Sequence, residues 1–320
     1  MRRVLQRLLD SFGSSAHTGL EITSAGVCGV SVARGRSTRV TGMAWEPLAP
    51  GVVRPAAAEP NVLDAVALRA AVERVLERLG SPRRIALVVP DAAGKVSILN
   101  LESIPKRRVE VEQVVRWQIG KAVPFPVETA QVAWTEGSGP GENGHRLLVV
   151  VMRRDVVEEY ESVCRDAGAH AGIVGLSTFD VVNAVLGAQP NRGPASGAVE
   201  QAWMLVHLAP ESTSLAIVRG GRPIFYRSRA GSAESEVVDA IHQSAMYFED
   251  RLGGGGFDRL LAHVSGDLAA PNALWSTVES RLGMTVEMVD PRLVVDFGVQ
   301  DVDRARVAAA TAPVGVLLRG

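Results

Sequence analysis

Hydrophobic residues along this chain follow two spacings, and each spacing predicts a different secondary structure. Short apolar runs bounded by turn residues predict β-strands, whereas apolar residues that recur every three or four positions predict one buried face of a helix. The strand candidates of the first half are residues 20–22, 28–33, 39–45, 85–89, 96–100, 130–134 and 147–152. Those of the second half are residues 204–208, 214–218, 223–228, 260–264 and 286–288. Strands and helices alternate in groups, which indicates a mixed α/β fold.

Helices are predicted where an apolar stripe persists over several turns. Such stripes cover residues 61–79, 155–167 and 234–252, and Gly80 with Pro82 ends the first of them. Each stripe is most simply the face that a helix buries against a sheet.

Residues 104–134 form the most informative passage of the chain. Pro105 fits the first turn of a helix, because proline cannot donate a backbone hydrogen bond in a helix interior. Pro124 and Pro126 bracket Phe125, which ends that helix and forces an extended exit into a strand. The apolar stripe of the predicted helix consists of Val111, Val114, Val115, Ile119 and Ala122.

A weak internal repeat relates the two halves of the chain. Residues 20–35 read LEITSAGVCGVSVARG, and residues 206–221 read VHLAPESTSLAIVRGG. Both segments predict a strand, a turn of small residues, a second apolar strand and an Arg-Gly stop. The polar loops 136–144 and 189–197 are rich in glycine, with proline as well, and fit a hairpin tip and a change of lobe.

Composition restricts the possible functions. At 320 residues the chain exceeds one simple core, so two domains or a bilobed architecture is expected. The formal net charge of −1, with arginines scattered among acids, argues against a nucleic-acid binder. Cys28 and Cys164 stand alone, without metal-ligand spacing, so we expect core packing in a reducing compartment and no metal site.

Membrane contact, where it exists, is expected to be peripheral. The longest apolar run, residues 147–152, has the length of a strand rather than the ~20 residues that cross a bilayer. Residues 1–12 mix arginines with apolar residues and lack the continuous apolar core of a signal peptide. They fit either an amphipathic helix on a membrane surface or a leader helix packed on the body. A cytoplasmic location is therefore expected.

Motifs of unrelated enzymes are weak. The glycine run 253–256 follows a helix rather than a strand, so a helix C-cap explains it better than a dinucleotide or Walker loop. The six histidines show no HExxH spacing. A hydrolase whose triad assembles only in space stays open.

The passage 104–134, with its IPKRR start, RW pair and PFP stop, resembles the type IV pilus assembly protein PilM family. The resemblance implies a bilobed α/β fold of the actin-like ATPase class, with two duplicated β/α lobes and an inserted 1C subdomain of the FtsA/PilM type. The expected boundaries are 1–17 for the leader, 18–90 for subdomain 1A, 91–170 for subdomain 1C, 171–195 for the return to 1A, 196–306 for the second lobe (2A/2B, with 2B at about 230–257) and 307–320 for a closing helix packed on 1A.

The resemblance also implies that the two repeated turns are phosphate loops. In actin-like ATPases each loop typically reads Asp-x-Gly, and the glycine lets backbone N–H groups approach the phosphates. This chain has Glu21 and Thr23 in the first loop, and His207 and Ala209 in the second. A connecting segment of the family carries a further acid, whose position aligns best with Gly175.

The adenosine region departs from the family in the same way. The family has a Ser-Gly-Gly turn after a strand, where this chain has Ser265, Gly266 and Asp267. The degenerate nucleotide site thus comprises Glu21, Thr23, Ser24, His207, Ala209, Ser265 and Gly266. We expect no cofactor and no turnover of ATP, and a working Mg-ATP switch between the lobes is the alternative.

A partner site is implied around the PFP stop. Members of the family recruit the cytoplasmic N-terminal tail of PilN, a bitopic inner-membrane protein, and an extended tail binds best in a groove walled by aromatic residues and prolines. The candidate residues are Trp117, Val123, Pro124 and Phe125. The alternative is that the aromatic residues only pack the insertion. The resemblance therefore favours an adaptor of a pilus or related secretion platform, peripheral to the inner membrane, with other platform proteins as further partners and no nucleic acid.

Overall fold

The computed structural model describes residues 16–35, 37–137, 145–188, 202–231, 233–265, 272–298 and 303–318. The expected amphipathic segment 1–12, most of the loop 136–144, the loop 189–197 and the residues Gly266 and Asp267 lie outside this part. Predictions about them stay predictions.

Most of the expected strands and helices are present, with bounds that differ by a few residues. The strands are β1 (Thr18–Ile22), β2 (Gly26–Arg34), β3 (Thr38–Pro47), β4 (Arg84–Val89), β5 (Lys95–Leu101), β6 (Ala130–Gly137), β7 (His145–Arg153), β8 (His170–Leu176), β9 (Ala202–Leu208), β10 (Ser212–Arg219), β11 (Arg222–Ala230), β12 (Arg259–Val264) and β13 (Val286–Met288). The helices are α1 (Ala65–Arg78), α2 (Arg108–Ile119), α3 (Arg154–Asp166), α4 (Ser177–Ala188), α5 (Glu234–Arg251), α6 (Asn272–Leu282), α7 (Arg304–Ala309) and α8 (Thr311–Leu317).

Two five-stranded sheets repeat one topology, which confirms the duplication indicated by the weak repeat. The first sheet has the order β3-β2-β1-β4-β8 and the second the order β11-β10-β9-β12-β13. In each, the first three strands pair antiparallel and the last two join in parallel. Each half of the chain therefore folds as one β/α lobe of a bilobed α/β structure.

An insertion separates the strands of the first lobe. It is the antiparallel sheet β5-β7-β6, whose one face packs on α2. The next helix, α3, buries Val156, Tyr160 and Cys164 in the core of the first lobe. The chain therefore returns to the first lobe near residue 154, earlier than the boundary at 170 expected from the sequence.

Two local expectations were wrong. Helix α2 begins at Arg108, so Pro105 precedes the helix rather than lying in its first turn. The expected closing helix 307–320 is two short helices, α7 and α8. Pro313 lacks a backbone N–H and is tolerated only near a helix start, which fits a new helix that begins at Thr311. Strand β8 and helices α4 and α6 were not predicted.

The last helix, α8, locks the first lobe together through two close approaches. A Cβ on Gly19 of β1 would lie 2.1 Å from the carbonyl oxygen of Pro313, and a Cβ on Gly315 would lie 1.7 Å from that of Asp180 in α4. Only glycine permits these distances. The helix therefore holds β1, and with it the first turn, against α4.

Candidate functional site

The first turn, between β1 and β2, uses its own backbone donors. The hydroxyl of Thr23 accepts hydrogen bonds from the backbone N–H groups of Ala25 at 3.3 Å and Gly26 at 3.1 Å. That hydroxyl also donates to the carbonyl of Gly26 at 3.1 Å, and the N–H of Thr23 donates to the same carbonyl at 2.9 Å. The β-branched residue therefore closes the turn on itself.

The second turn, between β9 and β10, supplies the acceptor for the backbone N–H of Ser24 in the first turn. Ala209 and Ser212 close this turn by two backbone hydrogen bonds of 2.9 and 3.3 Å. Between them Glu211 reaches the first lobe, where its Oε1 accepts a hydrogen bond from the N–H of Ser24 at 3.0 Å. A carboxylate of this chain thus takes the backbone donor that a phosphate oxygen would need.

Beneath the turns, His207 of β9 meets two side chains of the first lobe. Thr178 donates its hydroxyl hydrogen to Asp91, so the Nδ1–H of His207 must be the donor in its 2.9 Å hydrogen bond to the Thr178 hydroxyl oxygen. Nδ1 also lies 3.5 Å from Asp91 Oδ2. Burial raises the pKa of Asp91, but hydrogen bonds from His207 and Thr178 outweigh it, so the net pKa is lowered.

A second buried histidine continues this contact into the second lobe. His263 lies edge-on to His207 with 4.9 Å between the ring centroids, and its Nε2 donates to the carbonyl of Ala308 at 3.1 Å. Burial lowers the pKa of His263 to about 3, so the ring is neutral at physiological pH. Ser265 follows on the same strand end; its side chain is buried, and the hydroxyl has no hydrogen-bond partner among the described residues.

Glu21 is buried at the end of β1 and accepts a hydrogen bond from the hydroxyl of Ser177 at 2.5 Å. Burial raises the pKa of Glu21 to about 7, against the lowering effect of that hydrogen bond. In the sequence, Gly175 aligns best with the further acid that the family carries in its connecting segment. In the structure Gly175 lies inside β8, opposite Val88, and Ser177 is the residue that reaches Glu21.

Apolar packing also joins the lobes. One core cluster contains Val30 and Val88 of the first sheet together with Trp203 and Leu205 of the second. Close packing of this kind resists the domain motion that opens a cleft.

The residues present do not fit Mg-ATP. The N–H groups of the first loop, and those of Ala209 and Ser212 in the second, already have acceptors within the protein, and the carboxylate of Glu211 lies against the first loop. Within the described ranges, no group of three or more histidine, cysteine, aspartate or glutamate side chains is arranged to hold a metal ion. Of the seven predicted site residues, Gly266 lies outside the described part. The others bond to further groups of the protein rather than to one another, as Glu21 does to Ser177, Ser24 to Glu211 and His207 to Thr178.

Sequence reasoning missed five residues of this network: Asp91, Ser177, Thr178, Glu211 and His263. Asp91 lies two residues after the buried strand β4, and polar residues at the carboxyl end of a parallel strand are a usual sign of a site. Thr178 and Glu211 carry no comparable signal, because only the folded structure brings them to His207 and Ser24.

A separate cleft of about 350 Å³ lies between the insertion and the first lobe. Its lining residues are Ala58, Pro124, Phe125, Pro126, Thr129, Arg153 and Asp155. Arg153 is paired with Asp155 and also donates to the carbonyl of Ala58, which ties the two walls together. This cleft therefore combines apolar walls with one charged, fixed edge.

The structure separates the four predicted partner residues. Pro124 and Phe125 line the cleft, and Val123 packs half-buried against the core of the insertion. Trp117 does not line it, because this residue lies on the outward face of α2 with 80% of its surface exposed.

The comparisons with known proteins agree with this architecture. The family model of the type IV pilus assembly protein PilM matches residues 19–246. A solved structure described as the PilM-PilN type IV pilus biogenesis complex is 18% identical, with a TM-score of 0.76 over 96% of this chain and 97% of that chain. A Bacteroides thetaiotaomicron protein with an actin-like ATPase fold is 9% identical, with a TM-score of 0.48 over 85% and 89% of the two chains. The cytoplasmic domain of EpsL from the Vibrio cholerae type II secretion system is 8% identical, with a TM-score of 0.49 over 93% and 94%.

No curated protein matches the chain significantly in sequence. Among the described helices, none is both long and apolar enough to span a lipid bilayer. The family model covers well over half of the chain and the repeated lobe topology fits it. This chain belongs to the type IV pilus assembly protein PilM family and has the bilobed actin-like ATPase fold with a PilM-type insertion.

Proposed function

We propose that the chain is a cytoplasmic adaptor of a type IV pilus assembly platform at the inner membrane. In this role it binds the N-terminal tail of a PilN-like membrane protein and does not turn over ATP. Membership of the PilM family and the fold shared with a structure of a PilM-PilN complex support this proposal. The observation that carries it is the contrast between two clefts, since the one between the lobes is filled by the protein's own polar groups and the one beside the PFP stop is open.

The open cleft suits an extended peptide. Pro124, Phe125 and Pro126 form a stiff apolar wall that receives side chains at little entropic cost. Arg153 and Asp155 form the polar edge, where a peptide's main-chain groups find a donor and an acceptor. A volume of about 350 Å³ accommodates a few side chains, so the cleft suits a short peptide motif rather than a whole domain.

The filled cleft explains why ATP is not part of this function. Binding a triphosphate would require Glu211 to leave Ser24 and would leave Thr23 competing for the same N–H groups. Each buried hydrogen bond broken without replacement costs about 1–3 kcal/mol. Glu21, raised in pKa to about 7, is a poor substitute for an ionised aspartate that organises Mg²⁺.

Capture of a synthetic tail peptide of the cognate PilN-like protein by the full chain tests this function. Phe125→Ala removes the apolar wall, and Ala58→Trp fills the cleft from the opposite side without touching the core of the insertion. We expect both variants to weaken peptide binding about tenfold or more. Tyr247→Ala, a change at an exposed aromatic residue of the second lobe, is the matched control and should bind as the wild type does. Unchanged binding in both cleft variants would exclude this cleft as the binding site, and failure of the wild type to capture the peptide would exclude the proposed function.

A further inference from the structure

The outward face of α2 carries the most exposed large apolar residue among those that the structure describes. Trp117 is 80% exposed and Val109, two turns earlier, is 67% exposed. Trp117 is two positions from both Val115 and Ile119, roughly 200° around the helix from the stripe that packs on the sheet. Packing of the insertion therefore does not explain this side chain.

Basic residues flank the exposed apolar pair at both ends of α2. Lys106 and Arg107 precede the helix and Lys121 follows it, all of them exposed. Lys106 and Lys121 form no ion pair within the described ranges. The two acids on α2 are paired, Glu110 with Arg107 at 3.9 Å and Glu112 with Arg116 at 2.9 Å. An apolar centre with unpaired cations at its rim is the pattern of a surface that meets negative charge.

The shape of this face distinguishes between two classes of partner. Peptides bind in grooves, where pocket walls surround their side chains. Trp117 projects from a convex helix face with 80% of its surface exposed and does not line the Pro124–Phe125 cleft, so it has few walls to offer a peptide. A tryptophan ring with lysines beside it is instead the arrangement that settles at the headgroup level of a bilayer.

We propose that the face formed by Lys106, Arg107, Val109, Trp117 and Lys121 docks on an anionic phospholipid bilayer. Trp117 enters the interface, and the lysines meet lipid phosphates. The inference deepens the proposed function and rests on it for its setting, because a tail emerging from the membrane would reach the Pro124–Phe125 cleft close to the bilayer. Lys121 precedes Pro124 by only three residues, so docking would hold the cleft at the surface.

Vesicle cosedimentation of the full chain tests this surface. Mixed vesicles of phosphatidylglycerol and phosphatidylethanolamine are compared with vesicles of phosphatidylcholine. Each lysine near an anionic surface contributes roughly a fivefold gain in binding, so Lys106→Gln with Lys121→Gln should lower partitioning about 30-fold. Trp117→Ala should lower it about tenfold. Lys95, the one other lysine of the chain, supplies the charge-matched control, and Lys95→Gln should leave binding unchanged.

Three outcomes would overturn the inference. The first is binding without a preference for anionic vesicles. The second is equal partitioning of the variants and the wild type, because this result would place lipid contact elsewhere, such as in residues 1–12. The third is loss of tail-peptide capture by Trp117→Ala with vesicle binding intact, which would make this face a protein site. The proposed function and this inference can also fail separately. If vesicle binding responds as expected but neither the wild type nor any variant captures the tail peptide, the proposed function is refuted and the lipid-binding surface is retained.

Discussion

The backbone N–H of Ser24 donates to the side chain of Glu211 at 3.0 Å, across 187 positions of sequence and from one lobe to the other. In an ATPase of this fold the two turns face each other across a triphosphate. Here the second turn touches the first directly, and the side chain of Glu211 joins the two lobes through this hydrogen bond.

Removing this contact should weaken the protein. Glu211→Ala leaves the N–H of Ser24 without its acceptor, and we expect the free energy of unfolding to fall by about 1–3 kcal/mol in urea titrations. Glu211→Gln retains an acceptor oxygen and should lose less. Equal stability of the wild type and the alanine variant would show that the turns are not held together by this hydrogen bond.

Glu21 should make stability fall as pH rises toward neutrality. Its pKa in the folded protein is about 7, above the ordinary value of 4.5, so the folded state binds the proton more tightly than the unfolded state. The free energy of unfolding is then unaffected by Glu21 below pH 4.5 and decreases as pH rises from 4.5 through 7.

Glu21→Gln tests this directly because glutamine is neutral at every pH and keeps an acceptor for Ser177. The gain in stability over the wild type should grow between pH 5 and pH 8, on the order of 3 kcal/mol at the upper end. Measuring the difference between the two proteins cancels the opposite contribution of His263, whose pKa is lowered. A difference that stays constant with pH would mean that Glu21 is not perturbed by burial.

Gly315 should be intolerant of any side chain. A Cβ there would lie 1.7 Å from the carbonyl oxygen of Asp180, which is backbone and cannot turn aside. Gly315→Ala should lower stability by about 1–3 kcal/mol or more, as seen in thermal melting. Gly255→Ala is the control, since a Cβ at Gly255 meets no atom within 4 Å. Matching melting temperatures for the two variants would contradict the close approach of α8 and α4.

The fold was largely readable from the sequence because its lobes repeat and its strands are short apolar runs between turns. The elements that were not predicted, β8, α4 and α6, lacked this contrast between apolar runs and polar turns. Strand β8 is interrupted by Gly172 and Gly175, and α4 is buried on nearly every side, so no polar face marks its period. Burial on all sides reflects its position between α8 and the sheet, which local sequence does not encode.

The candidate site was readable only in part. Glu21 and His207 follow from their positions in the repeated turns, but Asp91 and Thr178 meet His207 through tertiary packing alone. Likewise, the spacing of Trp117 and Phe125 does not say that one faces solvent and the other a cleft. The direction in which each side chain points depends on where the helix ends. Helix α2 ends at Ile119, well before the prolines, so Trp117 lies in the helix and Phe125 lies in the segment after it.

The adaptor role is best tested by titrating the cognate PilN-like tail peptide into the full chain, with and without Mg-ATP. We expect the peptide to bind with the same dissociation constant in both titrations, because the protein's own polar groups bridge the two turns between the lobes. A nucleotide switch would couple the two ligands, typically by 5- to 150-fold in affinity, that is ~1–3 kcal/mol. A shift of that size would show a nucleotide switch, and no binding of the peptide at all would refute the adaptor role.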